Sequence, residues 1–188
     1  MVSDCAFLAE HLERIGYLVY PTELSCGCHD TPHDQGRWVD VAAYRNGGFY
    51  AFEYKSSGDP ISGAVKQIEN YRNSFDFVIL LVEIPRKGRS GLSLNSRRGK
   101  RIYDIVRLGA GIWIASKNRS RGIYDIQEIA KPRIQIPNSL NRKYVERLFW
   151  MHYKGDRLMR PGGHPSQQRL DDYAYVPRIS SVRVPQTQ

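Results

Sequence analysis

Long apolar runs are missing from this 188-residue sequence. No stretch approaches the roughly 20 residues needed to cross a bilayer, so no membrane-spanning segment is expected. Cysteine is scarce as well: three residues, an odd number, do not make a disulfide framework, and a reducing, cytoplasmic setting is expected. The start, MVSDCAFLAEHLERIGY, lacks a basic n-region and carries an Asp and two Glu, so it does not read as a secretory signal. Internal repeats and low-complexity tracts are absent too.

What is present is a core-forming composition with an excess of positive charge. A hydrophobic fraction of 41% and an aromatic fraction of 11% suit one globular domain with a proper core. Lys and Arg number 28 against 19 Asp and Glu, for a net charge of +9. Such an excess implies a polyanionic partner, most often nucleic acid.

Apolar spacing predicts the elements. Residues 3–15 place Cys5, Leu8, Leu12 and Ile15 on one helical face, with Gly16 as a C-cap. Tyr17–Tyr20 reads as a short strand and Glu23–Gly36 as a polar loop. Trp38–Tyr44 and Phe49–Lys55 read as strands joined by an Asn46-Gly47 hairpin turn. Asp59-Pro60 supplies an N-cap and a first-turn proline for a helix from Pro60 to Asn73. Phe75–Glu83 has the composition of a buried central strand, followed by a basic loop, a helix over Ile102–Leu108 and a strand over Gly111–Ser116. The order α-β-β-β-α-β-(basic loop)-α-β predicts a mixed α/β layered core over residues 1–118. Residues 119–188 read as a C-terminal extension, with one amphipathic helix over Ser139–His152 and a Pro-punctuated tail.

The hairpin carries the functional argument. Glu53 and Lys55, two apart on a strand, share one face of the sheet. A two-residue turn at Asn46-Gly47 pairs Arg45 with Gly48 and, counting back, Asp40 with Glu53. Two carboxylates directly opposite each other are destabilising unless a positive charge lies between them. Hard oxygen ligands favour a magnesium or manganese ion there, and Lys55 is placed to orient or activate a water. An ordinary ion pair, Lys55 with Asp40 or Glu53, is the alternative.

Asp40, twelve residues, then Glu53-Tyr54-Lys55 and a following helix resemble the active site of the PD-(D/E)xK nuclease superfamily, with Val39 where the family's name has Pro. The resemblance covers residues 3–116 and implies a restriction-endonuclease-like core. It implies that Asp40, Glu53 and the Tyr54 main-chain carbonyl bind Mg2+ or Mn2+, with Asp4 or Glu23 as a further acid, and that Lys55 acts on the attacking water. Gln67 and Tyr71 form a Q-x-x-x-Y pattern that resembles the helix motif of RecB-like nucleases, and its spacing aligns both on one helical face. The implied activity is hydrolysis of DNA phosphodiesters by a homodimer, with family habit and duplex symmetry behind the dimer. A non-catalytic DNA-binding module of the same fold is the alternative.

Between Ile84 and Tyr103 lie Arg86, Lys87, Arg89, Arg97, Arg98, Lys100 and Arg101 with no acid, a candidate DNA-contacting loop. Arg142, Lys143 and Arg147 offer a second basic surface, although Leu140, Tyr144, Val145, Leu148 and Phe149 also fit that helix to the core or to a dimer seam. Cys26, Cys28, His29 and His33 crowd into one loop. Structural zinc sites join two separated ligand pairs, so this tight cluster reads as a substrate-facing loop rather than a metal centre. Iron–sulfur nucleases of similar core carry most of their cysteines after it, whereas all three here precede Asp40.

Overall fold

The structure, a computed structural model, describes residues 5–21, 23–26, 38–84, 95–118 and 123–154. Its elements run α1 (Ala6–Arg14), β1 (Leu18–Val19), β2 (Leu24–Ser25), β3 (Trp38–Val39), β4 (Val41–Arg45), β5 (Gly48–Lys55), α2 (Ser62–Tyr71), β6 (Phe77–Glu83), α3 (Arg97–Arg107), β7 (Gly111–Asn118), β8 (Ile123–Ala130) and α4 (Ser139–Lys154). This is the mixed α/β architecture expected from the sequence: a six-stranded mixed sheet in the order β1-β4-β5-β6-β7-β8, flanked by helices. None of the described helices is long and apolar enough to cross a membrane.

The β4–β5 hairpin forms as its turn residues require. Asn46 and Gly47 have φ of 51° and 86°, the left-handed pair that a two-residue turn between twisted strands needs. The register follows, Arg45 opposite Gly48 and Val41 opposite Phe52. β5 and β6, and β6 and β7, pair in parallel, which buries β6 at the sheet centre. Its alternate residues serve two cores. Val78, Leu80 and Val82 join the core under α2, α3 and α4, while Ile79 and Leu81 join the one under α1.

Several elements depart from expectation. The strand over Trp38–Tyr44 is broken at Asp40: β3 leaves the main sheet and forms a separate two-stranded ribbon with β2, a strand within the segment read as loop. α2 begins at Ser62, because Asp59 is engaged elsewhere: its carboxylate accepts from the Ser56 N–H at 2.8 Å, closing a turn rather than capping a helix. α3 starts at Arg97, where the Ser96 hydroxyl accepts from the Gly99 N–H, so four cations of the basic segment are helical.

The sheet also continues past residue 118. β8 pairs with β7 as an antiparallel edge strand, its period-two signal weakened because most of it faces solvent. α4 buries Val145 and Phe149 in the same core as α2, so the described chain to Tyr153 is one compact unit. Arg142 is consequently not part of a free basic surface: it grips the Asp76 carboxylate at 2.9 Å and lies over the Phe49 ring. Lys143 and Arg147 stay exposed. The tail from residue 155 lies outside the described residues.

Candidate active site

β5 alternates between the two cores until its end. Phe49 and Ala51 point towards α2, and Glu53 and Lys55 continue that face. Glu53 is therefore carried under α2 and is 1% exposed. A carboxylate is tolerated there only when its oxygens are satisfied. Lys55 Nζ donates to Oε1 at 2.5 Å, and the Tyr71 hydroxyl lies 2.7 Å from Oε2. The same hydroxyl lies 2.7 Å from the Trp38 carbonyl, so its single proton is shared between two acceptors. Burial, then the charge of Glu53, raises the Tyr71 phenol far above its ordinary range and keeps it a donor.

Asp40 does not face Glu53 across a ladder as the register argument required. The β4–β5 ladder ends at Val41 and Phe52, because the chain turns at Asp40 to join β2. The two acids still meet, by another route. Where the main chain departs, the Asp40 carboxylate replaces it as acceptor for the Tyr54 N–H, at 2.7 Å. The Asp40 carboxyl is pushed up to about 6, first by burial and then by the Glu53 charge, against the Tyr54 hydrogen bond and Lys55. Glu23 adds a smaller push in the same direction. Leu24 pairs with Val39 as the last pair of the β2–β3 ladder, and Glu23 and Asp40 are the residues just beyond its end.

The strand end is fixed from both sides. On the α1 side, Glu83 accepts from the Tyr54 hydroxyl at 3.0 Å and from the Ser57 N–H at 3.2 Å. On the other, Arg98 donates to the carbonyls of Ser57, Ser56 and Glu83 at 2.9, 3.3 and 3.4 Å. Asp59 holds the Ser56 N–H. None of these three roles was read from the sequence. The one available signal was Glu83, a charge ending an otherwise apolar central strand just as Glu53 ends its own.

Asp40, Glu53, Lys55 and Tyr71 thus converge, while Glu23 is exposed and acts on Asp40 as a weaker charge. Gln67 lies one turn before Tyr71 and is half-buried. In a strand the N–H and C=O of one residue point the same way, so the Tyr54 carbonyl faces the Asp40 side with its N–H. Asp4, Arg86, Lys87, Arg89, Cys28, His29 and His33 lie outside the described residues; Cys26 is buried, its carbonyl accepting from the Ser74 hydroxyl at 2.8 Å. Arg97, Lys100 and Arg101 are exposed on α3.

The donor chemistry fits a hard divalent cation in one respect. Asp40 is held against a second carboxylate at a cost that a cation would relieve. The fit is incomplete in another: among the described residues no group of three or more His, Cys, Asp or Glu is gathered to hold one.

No protein-family model matches the chain, and none of the curated proteins matches it. Among solved structures, a protein of unknown function from Silicibacter pomeroyi is similar at 19% identity and a TM-score of 0.50, covering 89% of this chain and 98% of its own. That similarity is one of fold alone. An XisH family protein from Nostoc punctiforme, also 19% identical, covers 66% of this chain and 96% of its own with a TM-score of 0.39, too low to define a common fold.

Proposed function

We propose that this protein is a metal-dependent DNA endonuclease of the PD-(D/E)xK type. The observation that carries the reading is the meeting of Asp40 and Glu53 at one strand end, with Lys55 on the Glu53 carboxylate and the Asp40 carboxyl raised to about 6 by burial and by that neighbour. Asp40 and Glu53, with the Tyr54 carbonyl and Glu23 as nearby oxygen donors, are the residues that would hold Mg2+ or Mn2+. Bound there, the cation would supply Lewis acidity towards a phosphate oxygen and a more acidic water.

The chain's own groups have separate tasks. Tyr71 and Lys55 hold the Glu53 carboxylate in one orientation. An ammonium has three N–H donors, and Lys55 spends one on Glu53, leaving two for a water or a phosphate oxygen at the strand end. Glu83 and Arg98 keep the Tyr54–Ser57 backbone from shifting while a charged strand is bound. In the hydrolysis, one P–O bond forms to the water oxygen, one P–O bond to a deoxyribose oxygen breaks, and the water's protons pass to the leaving oxygen and to solvent.

Purified protein incubated with supercoiled, linear and four-way-junction DNA tests the reading, in magnesium or manganese and in EDTA. Cleavage should require the cation and be lost in Asp40→Ala prepared in parallel. No cutting with either metal, or equal cutting by the variant, would end the catalytic reading. One observation favours a non-catalytic DNA-binding module: both Glu53 oxygens already have protein partners. That reading predicts DNA binding without strand scission in any cation.

A further inference from the structure

Of the seven cations in the segment after β6, the described four do not do the same thing. Arg98 spends its guanidinium on the carbonyls of Ser56, Ser57 and Glu83. Arg97, Lys100 and Arg101 are exposed and border an open groove of about 1100 Å3, whose opposite wall is the start of α2 at Ile61 and Ser62. Arg101 has a 3.7 Å contact with Asp104, half-exposed on both sides and weakly neutralising.

The charge placement runs against helix stability. Neither α2 nor α3 has an acid in its first turn, and α3 instead opens with Arg97, Arg98, Lys100 and Arg101. The N-terminal end of a helix is already the positive end of its dipole, where anions are favoured and cations are not. α2 has in addition no side-chain cap on its first N–H groups. Two positive helix ends and three exposed cations therefore share one concavity, whose lining sets the four cations Arg97, Arg98, Lys100 and Arg101 against the two acids Asp59 and Asp104 and so keeps a net positive charge.

The groove and the strand end described above are linked by one side chain. Arg98 sits in the groove wall and holds Ser56 and Ser57, the residues that directly follow Lys55. An extended anion in the groove would thus lead to Lys55.

We propose that this groove seats the phosphodiester backbone of DNA, with Arg97, Lys100 and Arg101 on phosphates, and that Arg98 is a strut joining the groove to the strand end. The choice of DNA as the polyanion rests on the proposed function; the location rests on charge and shape.

The test is fluorescence anisotropy of a labelled duplex oligonucleotide in EDTA, which reads binding without turnover. The variant carries Arg97→Gln, Lys100→Gln and Arg101→Gln, and salt is varied from about 50 to 200 mM. The triple variant should bind at least about tenfold more weakly, with a log–log salt slope smaller by about 2 to 3, one ion release per lost phosphate contact. Arg98→Gln should lower the melting temperature and leave that slope unchanged. A wild-type protein that does not bind DNA, or an unchanged slope in a triple variant with native circular dichroism, overturns the groove. A slope reduced by Arg98→Gln overturns the strut. Groove-dependent binding without cleavage would sink the nuclease reading alone, and cleavage with an unchanged slope would sink the groove alone.

Discussion

Asp40→Asn should make the metal-free protein more stable at neutral pH, although it removes the residue proposed to be indispensable for activity. The folded protein holds the Asp40 carboxyl at about 6, against 3.8 for an unperturbed Asp. Between those values the unfolded chain has already released its proton while the folded chain retains it. The folded state therefore binds more protons, and stability falls as pH rises through the window. Lifting an acid from 3.8 to about 6 corresponds to about 3 kcal/mol at about 1.4 kcal/mol per pH unit, fully felt above the folded-state value. Asn keeps an oxygen for the Tyr54 N–H, so the 2.7 Å bond that ends the β4–β5 ladder survives the change. Urea unfolding of both proteins in EDTA, from pH 4 to pH 8, measures the difference directly and cancels groups common to both. The variant should gain about 2–3 kcal/mol over wild type between pH 4 and pH 7 and hold that advantage at pH 8. Added magnesium should narrow the gap by stabilising wild type alone. A variant no more stable than wild type at pH 8 would refute the account of Asp40 as a carboxylate held at a cost.

Two further substitutions probe the same cluster. Tyr71→Phe removes the hydroxyl that serves both Glu53 Oε2 and the Trp38 carbonyl, and should cost about 1–3 kcal/mol in urea unfolding; a loss below about 0.5 kcal/mol would mean that those bonds are dispensable. Lys55→Met leaves the buried Glu53 without its counter-charge and should cost about 3–5 kcal/mol at neutral pH. Adding Glu53→Gln should recover much of that loss, whereas additive losses in the double variant would show that the pair is not coupled.

How much of this could be read from the sequence follows the range of the interactions involved. The Asn46-Gly47 turn is local chemistry: both residues accept positive φ, the turn sets the register, and alternation then puts Glu53 and Lys55 on one face. The apolar period likewise marks α1, which buries one repeating face, and an unbroken apolar run marks β6, whose alternate residues fill both cores. Helix limits were less legible. Asp59 has the composition of an N-cap but closes a turn at Ser56, and Ser96 does the capping for a helix that starts among the cations.

The site itself needed partners distant in sequence. Asp40 was expected to meet Glu53 by strand pairing, and meets it instead because β3 leaves the sheet for β2, a choice made by the burial of Leu24 and Val39 in the α2-side core. Tyr71 was legible as a candidate, but only the packing of α2 shows that its hydroxyl closes both on Glu53 and on the strand that has turned away. Arg98 was indistinguishable in sequence from the cations around it. The carbonyls it binds come from the ends of two different strands, and no local pattern records that they lie together. The sequence alone determined which groups are chemically able to act and which strand carries them. Tertiary structure decided which of them meet, because burial and backbone satisfaction are settled between segments and not within them.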